Sequence, residues 1–171
     1  MNLPTFKYHP DPVATGSVIA SPKRCCVCKQ TTGFIYKGPY RFDDLDTESS
    51  MLDPHICPWC IENGNAAEAL GISFNDLHSL ASIYLDDLTI SEEAAVELCR
   101  RTPGYPTWQD HLWIVHCKDA CQFLGPAGGA EIKAKQPDPV HNSLNGVSSV
   151  SRLASGKYAC TCQDPCAQSD H

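Results

Sequence analysis

Two short cysteine motifs, Cys25-Cys26-Val27-Cys28 and Cys57-Pro58-Trp59-Cys60, organise the rest of this sequence. In each motif two cysteines are separated by two residues, a spacing at which one tight turn directs two sulfurs toward the same point. A pair of such motifs in one chain is typical of a structural site with four cysteine ligands. We therefore predict one tetrahedral Zn²⁺ site. Its predicted ligands are Cys25, Cys28, Cys57 and Cys60.

The composition favours a small metal-stabilised protein over a disulfide scaffold. Among the 171 residues, 13 prolines and 11 glycines divide the hydrophobic residues into short segments, and a metal that joins such segments stabilises a small core. The 11 cysteines are an odd number, which metal binding accommodates better than complete disulfide pairing. The N-terminal residues lack the apolar segment of a signal peptide, and no apolar run approaches the ~20 residues of a membrane span. We therefore expect a soluble cytoplasmic protein with reduced thiols.

The net charge disfavours general nucleic-acid binding, although basic residues gather around the first motif. The formal net charge is −7, whereas nucleic-acid-binding proteins usually carry a basic patch. The gathered basic residues are Lys23, Arg24, Lys29, Lys37 and Arg41. Ordinary solubilising charge is the simpler interpretation, and a local basic face for an anionic partner is the alternative. Protein and nucleic-acid partners both stay open, as does the oligomeric state.

The residues between the two motifs have the order of a zinc ribbon. Aromatic and β-branched residues at positions 34–36 and 40 lie between turn residues and predict short strands. An acidic loop then leads to the second motif, and prolines in residues 3–16 predict an extended segment before the first motif. We predict an α+β fold in which a small zinc-ribbon-like β unit packs with a few short helices, with parts of the chain irregular.

Four helices are predicted after the second motif. Gly71 suits the left-handed position that ends the first helix, and apolar residues at i, i+3, i+4, i+7 and i+8 predict an amphipathic second helix. Ser91 is a suitable N-cap for the third helix, and Pro106 fits the first turn of the fourth. The predicted helices cover residues 66–70, 75–85, 92–101 and 106–124.

A second zinc site is predicted from five further cysteines. On the fourth predicted helix, Cys117 and Cys121 would lie one turn apart on the same face. Three more cysteines follow within residues 160–166, and two of them could complete a site of four thiolates. The predicted ligands are Cys117, Cys121, Cys160 and Cys162, with Cys166 or His116 as alternatives for the fourth position. A free C-terminal tail is the competing interpretation.

The composition also divides the chain into three parts. Residues 1–125 carry the zinc ribbon and the helices. Residues 126–156 are rich in Gly, Ala, Ser, Asn and Pro with few large apolar side chains, which predicts a flexible linker. Residues 157–171 form a cysteine-rich tail that would close the second zinc site.

Several segments of the chain occur in the same order in one bacterial family. These segments are Phe6–Pro12 with Thr15-Gly16, both cysteine motifs, Gly64 with Ala66-Ala67, Arg101–Tyr105, Trp108-Gln109, Trp113 and His116–Gly125. Over about residues 3–125 the chain thus resembles the CbrC-like proteins, which are named for a member linked to colicin tolerance. The resemblance implies a small zinc-binding protein. The family pattern closes with a C-x-x-C motif, whereas this chain has Cys160-x-Cys162 followed by Cys166.

Two functions are compatible with this sequence. Four thiolates around zinc leave no open position for a substrate, so a zinc-stabilised binding module is the main hypothesis, with Tyr105 and Trp108 as aromatic anchors. The resemblance implies a role in colicin tolerance or a stress response. The alternative is a metal-dependent hydrolase or nuclease with a separate His/carboxylate site. Its candidate residues are His9, Asp11, His116 and Asp119, although none of their spacings matches a motif such as H-E-x-x-H.

Overall fold

The computed structural model describes residues 2–43, 53–82, 90–107, 112–116, 118–126, 149–153 and 156–160. Within these ranges, short strands in small sheets combine with three helices, so the predicted α+β class is confirmed. None of the helices described is long and apolar enough to cross a membrane.

The strands of the described ranges form four small sheets. They are β1 (Val18–Ala20), β2 (Phe34–Tyr36), β3 (Arg41–Phe42), β4 (Ile72–Ser73), β5 (Leu80–Ser82), β6 (Trp113–His116), β7 (Asp119–Ala120), β8 (Gln122–Gly125), β9 (Ser149–Leu153) and β10 (Gly156–Cys160). The sheet orders are β1-β2, β3-β4, β5-β6-β7 and β8-β10-β9. Among these strands β5 and β6 pair in parallel, and the other pairs are antiparallel. The helices are α1 (Pro58–Glu62), α2 (Asn65–Leu70) and α3 (Glu92–Arg101).

A first cluster of buried residues surrounds the two cysteine motifs. β1 and β2 pair antiparallel with Val18 opposite Tyr36, and the Tyr36 N–H donates to the Ile56 carbonyl at 2.7 Å. This bond joins the strand pair to the chain just before the second motif. The cluster comprises Phe6, Val18, Cys25, Tyr36, Ile56, Cys57, Cys60, Ile61, Ala66, Ala67, Ile72 and Phe74. Since three motif cysteines belong to it, the cysteine cluster is part of this core.

A second buried cluster is centred on three aromatic rings. Tyr105 stacks on Phe123 with ring centroids 3.8 Å apart, and Trp113 lies 5.4 Å from Tyr105. Such aromatic contacts stabilise a core beyond the area that they bury. The Trp113 Nε1–H donates to the Cys121 carbonyl at 2.9 Å, so the polar atom of this buried ring is satisfied. The cluster comprises Tyr8, Ala94, Leu98, Tyr105, Trp113, Ile114, Ala120, Cys121 and Phe123.

The extended N-terminal segment connects the two clusters. Phe6 belongs to the first cluster and Tyr8 to the second. No helix or strand occurs between residues 2 and 17, as the prolines predict,. The Phe123 N–H donates to the Tyr8 carbonyl at 2.7 Å, which fixes this segment along β8.

The local predictions for β2, α2 and α3 are confirmed. Gly71 ends α2 in the left-handed conformation, with φ 60° and ψ 46°. Ser91 caps α3, where its hydroxyl oxygen accepts from the Ala94 N–H at 3.2 Å. Both signals act within one turn of the residue that carries them, so they do not depend on distant packing.

The predicted helix over residues 75–85 is wrong where the structure describes it. Residues Leu77–Ser79 form a single 3₁₀ turn, in which the Asp76 carboxylate accepts from the His78 N–H at 2.9 Å. The chain then becomes extended and enters β5, which pairs with β6. Pairing with a distant strand outweighs the local apolar spacing. Residues 83–85 lie outside the described ranges.

The predicted helix over residues 106–124 is also wrong at residues 106–107, 112–116 and 118–124, which the structure describes. β6 and β7 form an antiparallel pair in which His116 lies opposite Asp119, and Lys118 adopts a left-handed φ of 60° in the turn between them. The chain continues directly into β8. The β-branched residues Ile114 and Val115 favour this extended structure. Cys117 lies outside the described residues, so the helical spacing of Cys117 and Cys121 no longer supports a shared face.

Within the predicted linker, the structure describes residues 149–153. These residues form β9, which pairs with β10, and β10 also pairs with β8. A composition poor in large apolar residues does not exclude a strand whose pairing is supplied by neighbours. Residues 127–148 lie outside the described ranges, so the rest of the predicted linker stays a prediction. The acidic-loop residues Asp44, Asp46 and Glu48 lie outside them as well.

Candidate metal centre

Four cysteine sulfurs from the two motifs converge on one point. The sulfurs all lie within 4.8 Å of one another. The Sγ atoms of Cys25 and Cys60 are 3.9 Å apart, and those of Cys28 and Cys57 are 3.7 Å apart. Around a tetrahedral Zn²⁺ with Zn–S bonds of about 2.3 Å, neighbouring sulfurs would be about 3.8 Å apart. The arrangement therefore fits a tetrahedral metal ion without rearrangement.

The first motif is a tight turn whose backbone N–H groups point at a sulfur. The Cys25 N–H donates to the Gln30 carbonyl at 2.8 Å, and the Lys29 N–H donates to the Cys25 carbonyl at 3.0 Å. Lys29 has a left-handed φ of 59°, which closes the turn. The N–H groups of Val27 and Cys57 lie 3.4 and 3.3 Å from the Cys25 Sγ. Hydrogen bonds of this kind favour the thiolate form that a metal requires.

The second motif presents its two sulfurs from the start of α1. Pro58 occupies the first helical position, where its missing N–H has no cost,. The Cys60 N–H then donates to the Cys57 carbonyl at 3.1 Å. The Cys26 N–H donates to the His55 carbonyl at 2.8 Å, so the two motifs are joined through their backbones as well.

The environment changes the pKa values of three of these thiols in different directions. For Cys25, burial raises the pKa, but the N–H groups of Cys57, Cys28 and Val27 outweigh it and lower the pKa to about 7. For Cys57, burial and the neighbouring Cys25 charge raise the pKa to about 11. For Cys60, burial and the adjacent Cys57 raise the pKa further. A bound cation would offset the repulsion among four thiolates, and its binding would release protons.

Burial and the ligand set indicate a structural site. Cys25, Cys57 and Cys60 are at most 2% exposed, and only Cys28 reaches the surface. Four protein sulfurs fill a tetrahedral coordination shell, so no position is left for water or substrate. Cys26 lies between two of these cysteines and is not part of the cluster.

The backbone brings two cysteines of the predicted second site next to each other. In the pairing of β8 with β10, Ala159 lies opposite Gln122, so the same register places Cys160 alongside Cys121. Cys121 is buried and disulfide-bonded in the structure, and a disulfide sulfur is not a thiolate ligand. Cys117, Cys162 and Cys166 lie outside the described residues. The second site therefore stays a prediction for the reduced chain.

His9 has a structural position in the described part of the chain. Its ring is fully buried, with Nδ1 2.7 Å from the Pro103 carbonyl and Nε2 2.8 Å from Thr15 Oγ1. A carbonyl only accepts, so Nδ1 carries the hydrogen and Nε2 accepts from the hydroxyl. Burial lowers the pKa of the imidazole, against the opposing effects of Pro103 and Asp11. Both ring nitrogens are therefore used to join the N-terminal segment to the loop after α3.

Asp119 lies in a polar network of its own. Its carboxylate accepts from Lys7 Nζ at 2.9 Å and from the Tyr8 hydroxyl. This network lines an open cavity of about 480 Å³ beside the first turns of α3. Among the described residues, Asp119 and His9 share no hydrogen-bond partner.

The four candidate catalytic residues do not form a common site among the described side chains. Asp11 is exposed and accepts from the Ala14 N–H at 3.0 Å, which stabilises a local turn. His116 is paired with Asp119 through the strand backbone. In the ranges that the structure covers, the four motif cysteines are the one group of three or more His, Cys, Asp or Glu side chains close enough to share a metal.

The aromatic anchors expected from the sequence need one correction. Tyr105 is fully buried and belongs to the second cluster, because its ring stacks on Phe123 and its hydroxyl donates to the Leu112 carbonyl. It is therefore a core residue and not an exposed anchor. Trp108 lies outside the described residues.

Comparison with known proteins places the chain in a family. The model of the Uncharacterised protein family (UPF0167) matches residues 3–166. The chain belongs to UPF0167. It is 42% identical to UPF0167 protein PA1536 of Pseudomonas aeruginosa over 131 residues, which are 76% of this chain and 67% of that relative.

Two mycobacterial relatives support the same assignment. UPF0167 protein Mb2317 of Mycobacterium bovis and UPF0167 protein MT2352 of Mycobacterium tuberculosis are each 38% identical over 136 residues, which are 80% of this chain and 66% of each relative. This UPF0167 chain thus spans about two thirds of the length of the curated relatives that it matches. No solved structure matches it significantly.

Sequence reasoning missed one buried polar residue in this UPF0167 protein. The Asn75 side chain donates from Nδ2 to the carbonyls of Leu98 and Thr102, at 2.7 and 2.9 Å. These bonds satisfy carbonyls at the end of α3, which otherwise lack partners. Asn75 lies more than 20 positions before them in the sequence, so no local spacing rule could reveal the contact.

Proposed function

We propose that this protein is a zinc-stabilised binding module whose Zn²⁺ is held by Cys25, Cys28, Cys57 and Cys60. The observation that carries the proposal is the tetrahedral spacing of their sulfurs, at 3.7 and 3.9 Å across the two motifs. Zinc suits this site because it prefers four thiolates and has no redox chemistry of its own. Because four protein sulfurs leave no coordination position for a substrate, the metal would support the structure of a surface that binds a partner.

Metal analysis of the purified protein tests the zinc site. We expect at least one zinc per chain, and tetrahedral thiolate absorption bands after replacement of zinc by Co²⁺. Cys57→Ser is expected to lose one equivalent of metal, because a hydroxyl is a poor zinc ligand. Cys26→Ser is the matched control, since it removes a neighbouring thiol outside the cluster. The proposed ligand set is contradicted if Cys57→Ser keeps its full zinc content. It is also contradicted if Cys26→Ser loses zinc and Cys57→Ser does not.

We further propose a second zinc in the reduced chain, held by Cys117, Cys121, Cys160 and Cys162. The register of β8 and β10, which places Cys160 alongside Cys121, supports this site. Under reducing conditions, the wild type is expected to bind two zinc ions and Cys121→Ser one. A single equivalent in both proteins would rule out the second site.

The cellular role that we propose is cytoplasmic and linked to colicin tolerance or a stress response. Thiolate sites persist in reducing compartments, and the resemblance to the CbrC-like proteins suggests the colicin link. Expression of the wild-type chain in a colicin-sensitive bacterium is expected to raise survival, whereas Cys57→Ser is not. Equal survival of cells that express the wild type and cells that express Cys57→Ser would show that colicin tolerance does not depend on the zinc site.

A further inference from the structure

Three cations at the first motif form no ion pair with a carboxylate of the described residues. Of the Lys and Arg side chains in the described ranges, those at positions 7, 37, 41, 100 and 101 lie within 4.0 Å of a carboxylate. Lys118, in the turn between β6 and β7, makes no such pair with a described residue, and neither do Lys23, Arg24 and Lys29, which are exposed. These three, called here the knuckle cations, lie within seven consecutive residues and surround Cys25. Four thiolates around one Zn²⁺ carry a formal charge of −2, so the three cations leave a local excess of positive charge for a partner.

The knuckle cations are held in place by the turn on which they lie. Lys29 Nζ donates to the Cys26 carbonyl at 2.7 Å, and Arg24 Nε donates to the Lys29 carbonyl. Lys23 Nζ lies 2.8 Å from Nε2 of His55, just before the second motif. Side chains fixed in this way lose less conformational entropy when they bind an anion.

Two aromatic side chains pack against the first cluster, to which Cys25 belongs. Trp59 lies between Cys57 and Cys60 and is half-buried against the first cluster. Tyr40 is also half-buried, packs against the same cluster and contacts the Phe42 ring edge-on, with ring centroids 5.7 Å apart. Partly exposed rings beside fixed cations are the elements of a surface on which bases stack.

We propose that the knuckle cations and the adjacent aromatic rings bind single-stranded nucleic acid, with the cations on phosphates and the rings on bases. This inference rests on the proposed zinc site, because zinc fixes the turn that carries the cations. A duplex is disfavoured because α1 and α2, the helices of this part of the fold, have only five and six residues and are too short to read a groove. The net charge of −7 repels phosphates elsewhere, which confines binding to this face,.

Fluorescence anisotropy with a labelled single-stranded oligonucleotide tests this proposal on the zinc-loaded chain. Three phosphate contacts give a slope of about −2 for the logarithm of affinity against the logarithm of salt concentration, at about 0.7 per contact for single strands. The triple variant Lys23→Ala/Arg24→Ala/Lys29→Ala is expected to lose about tenfold or more in affinity and most of this slope. Tyr40→Leu, which keeps an apolar side chain, is expected to weaken binding without changing the slope.

A second triple variant controls for net charge. Lys7→Ala/Arg41→Ala/Arg100→Ala removes the same three charges from cations that are paired with carboxylates, and it is expected to bind as the wild type does. If both triple variants lose the same affinity, the change in net charge alone explains the loss and the proposal is overturned. Equally tight binding to a polyglutamate peptide or a duplex would overturn it too, as would unchanged binding by the knuckle variant.

Zinc content measured on the same samples separates this inference from the proposed zinc site. A wild-type protein without zinc contradicts the zinc site itself. If the knuckle variant loses its zinc while the control variant keeps it, the cations serve the metal and the nucleic-acid proposal fails. If every variant retains its zinc, the affinities alone test whether the knuckle cations bind single-stranded nucleic acid.

Discussion

His9 joins two distant parts of the chain through its two ring nitrogens. It is fully buried, and its partners Pro103 and Thr15 belong to different segments. Replacement by Gln removes the ring and at least one of these bonds, so His9→Gln is expected to lower the free energy of unfolding by about 1–3 kcal/mol. Urea denaturation measures this loss. His78→Gln is the control, because the His78 side chain is 95% exposed, and it is expected to change stability little.

The same residue predicts a dependence of stability on pH. Burial lowers the pKa of His9 in the folded protein, whereas the unfolded chain keeps a value of about 6.5. Above that value both states are neutral and the full contribution is present. As the pH falls below it, the unfolded state binds a proton first, so the free energy of unfolding decreases. Wild type is therefore expected to lose more stability than His9→Gln between pH about 7.5 and about 5.5, and an equal loss would contradict the buried neutral state.

Individual residues were predictable where their partners are close in sequence or fixed by ligand chemistry. The spacing of Cys25 with Cys28 predicts two ligands in one turn, and the structure brings them to the other pair. The hydrogen bond from His9 to Pro103 spans 94 positions, and the burial of Tyr105 depends on Phe123. No local sequence pattern indicates either contact. From the sequence, His9 is therefore a catalytic candidate and Tyr105 an exposed aromatic anchor.

Among the helices and strands, α2 and α3 could be predicted from local sequence signals, whereas β5 and β6 form because distant segments pair with each other. α3 begins at the cap that Ser91 supplies and needs no other information. β5 and β6 lie more than 30 residues apart and form a parallel pair, which amphipathic spacing cannot reveal. The apolar residues at positions 77, 80 and 81 match a helix and a turn followed by a strand equally well. Tertiary context therefore decided this segment and residues 113–125.

The loop after α3 packs so closely that it requires glycine at one position. A Cβ on Gly104 would lie 2.5 Å from the Phe74 carbonyl oxygen and 3.1 Å from the Tyr36 hydroxyl. Because a backbone atom cannot rotate away, Gly104→Ala is expected to destabilise the protein by about 1–3 kcal/mol through overpacking. Thermal unfolding of the purified variant measures the change.

Gly33→Ala is the matched comparison for this contact. A Cβ at Gly33 meets no atom within 4 Å, but φ is 84°, so its cost is backbone strain alone. Asparagine tolerates this conformation, and Gly33→Asn is expected to recover part of the lost stability. Gly104→Asn is expected to be at least as unstable as Gly104→Ala, and a recovery there would show that space is not the limiting factor.

Across the described part of the molecule, the two buried clusters differ in whether they contain the candidate metal ligands. Cys25, Cys57 and Cys60 are members of the first cluster, so without a cation their sulfurs become buried groups that repel one another when ionised. The second cluster holds none of these ligands and is centred on stacked aromatic rings. A metal bound by these cysteines would therefore stabilise the first cluster directly and the second through the segment that contains Phe6 and Tyr8.

Removal of zinc by a chelator is accordingly expected to open the first cluster before the second. Hydrogen exchange followed by mass spectrometry measures this, with peptides around Ile35 and Ile56 losing protection and peptides around Ile114 and Phe123 keeping most of theirs. Cys26→Ser is expected to behave as the wild type, because Cys26 lies outside the cluster of ligands. Simultaneous loss in both regions would show that the clusters unfold as one cooperative unit. Unchanged protection around Ile35 and Ile56 would show that burial alone stabilises the ribbon, since a metal that contributes to folding cannot be removed without loss of stability.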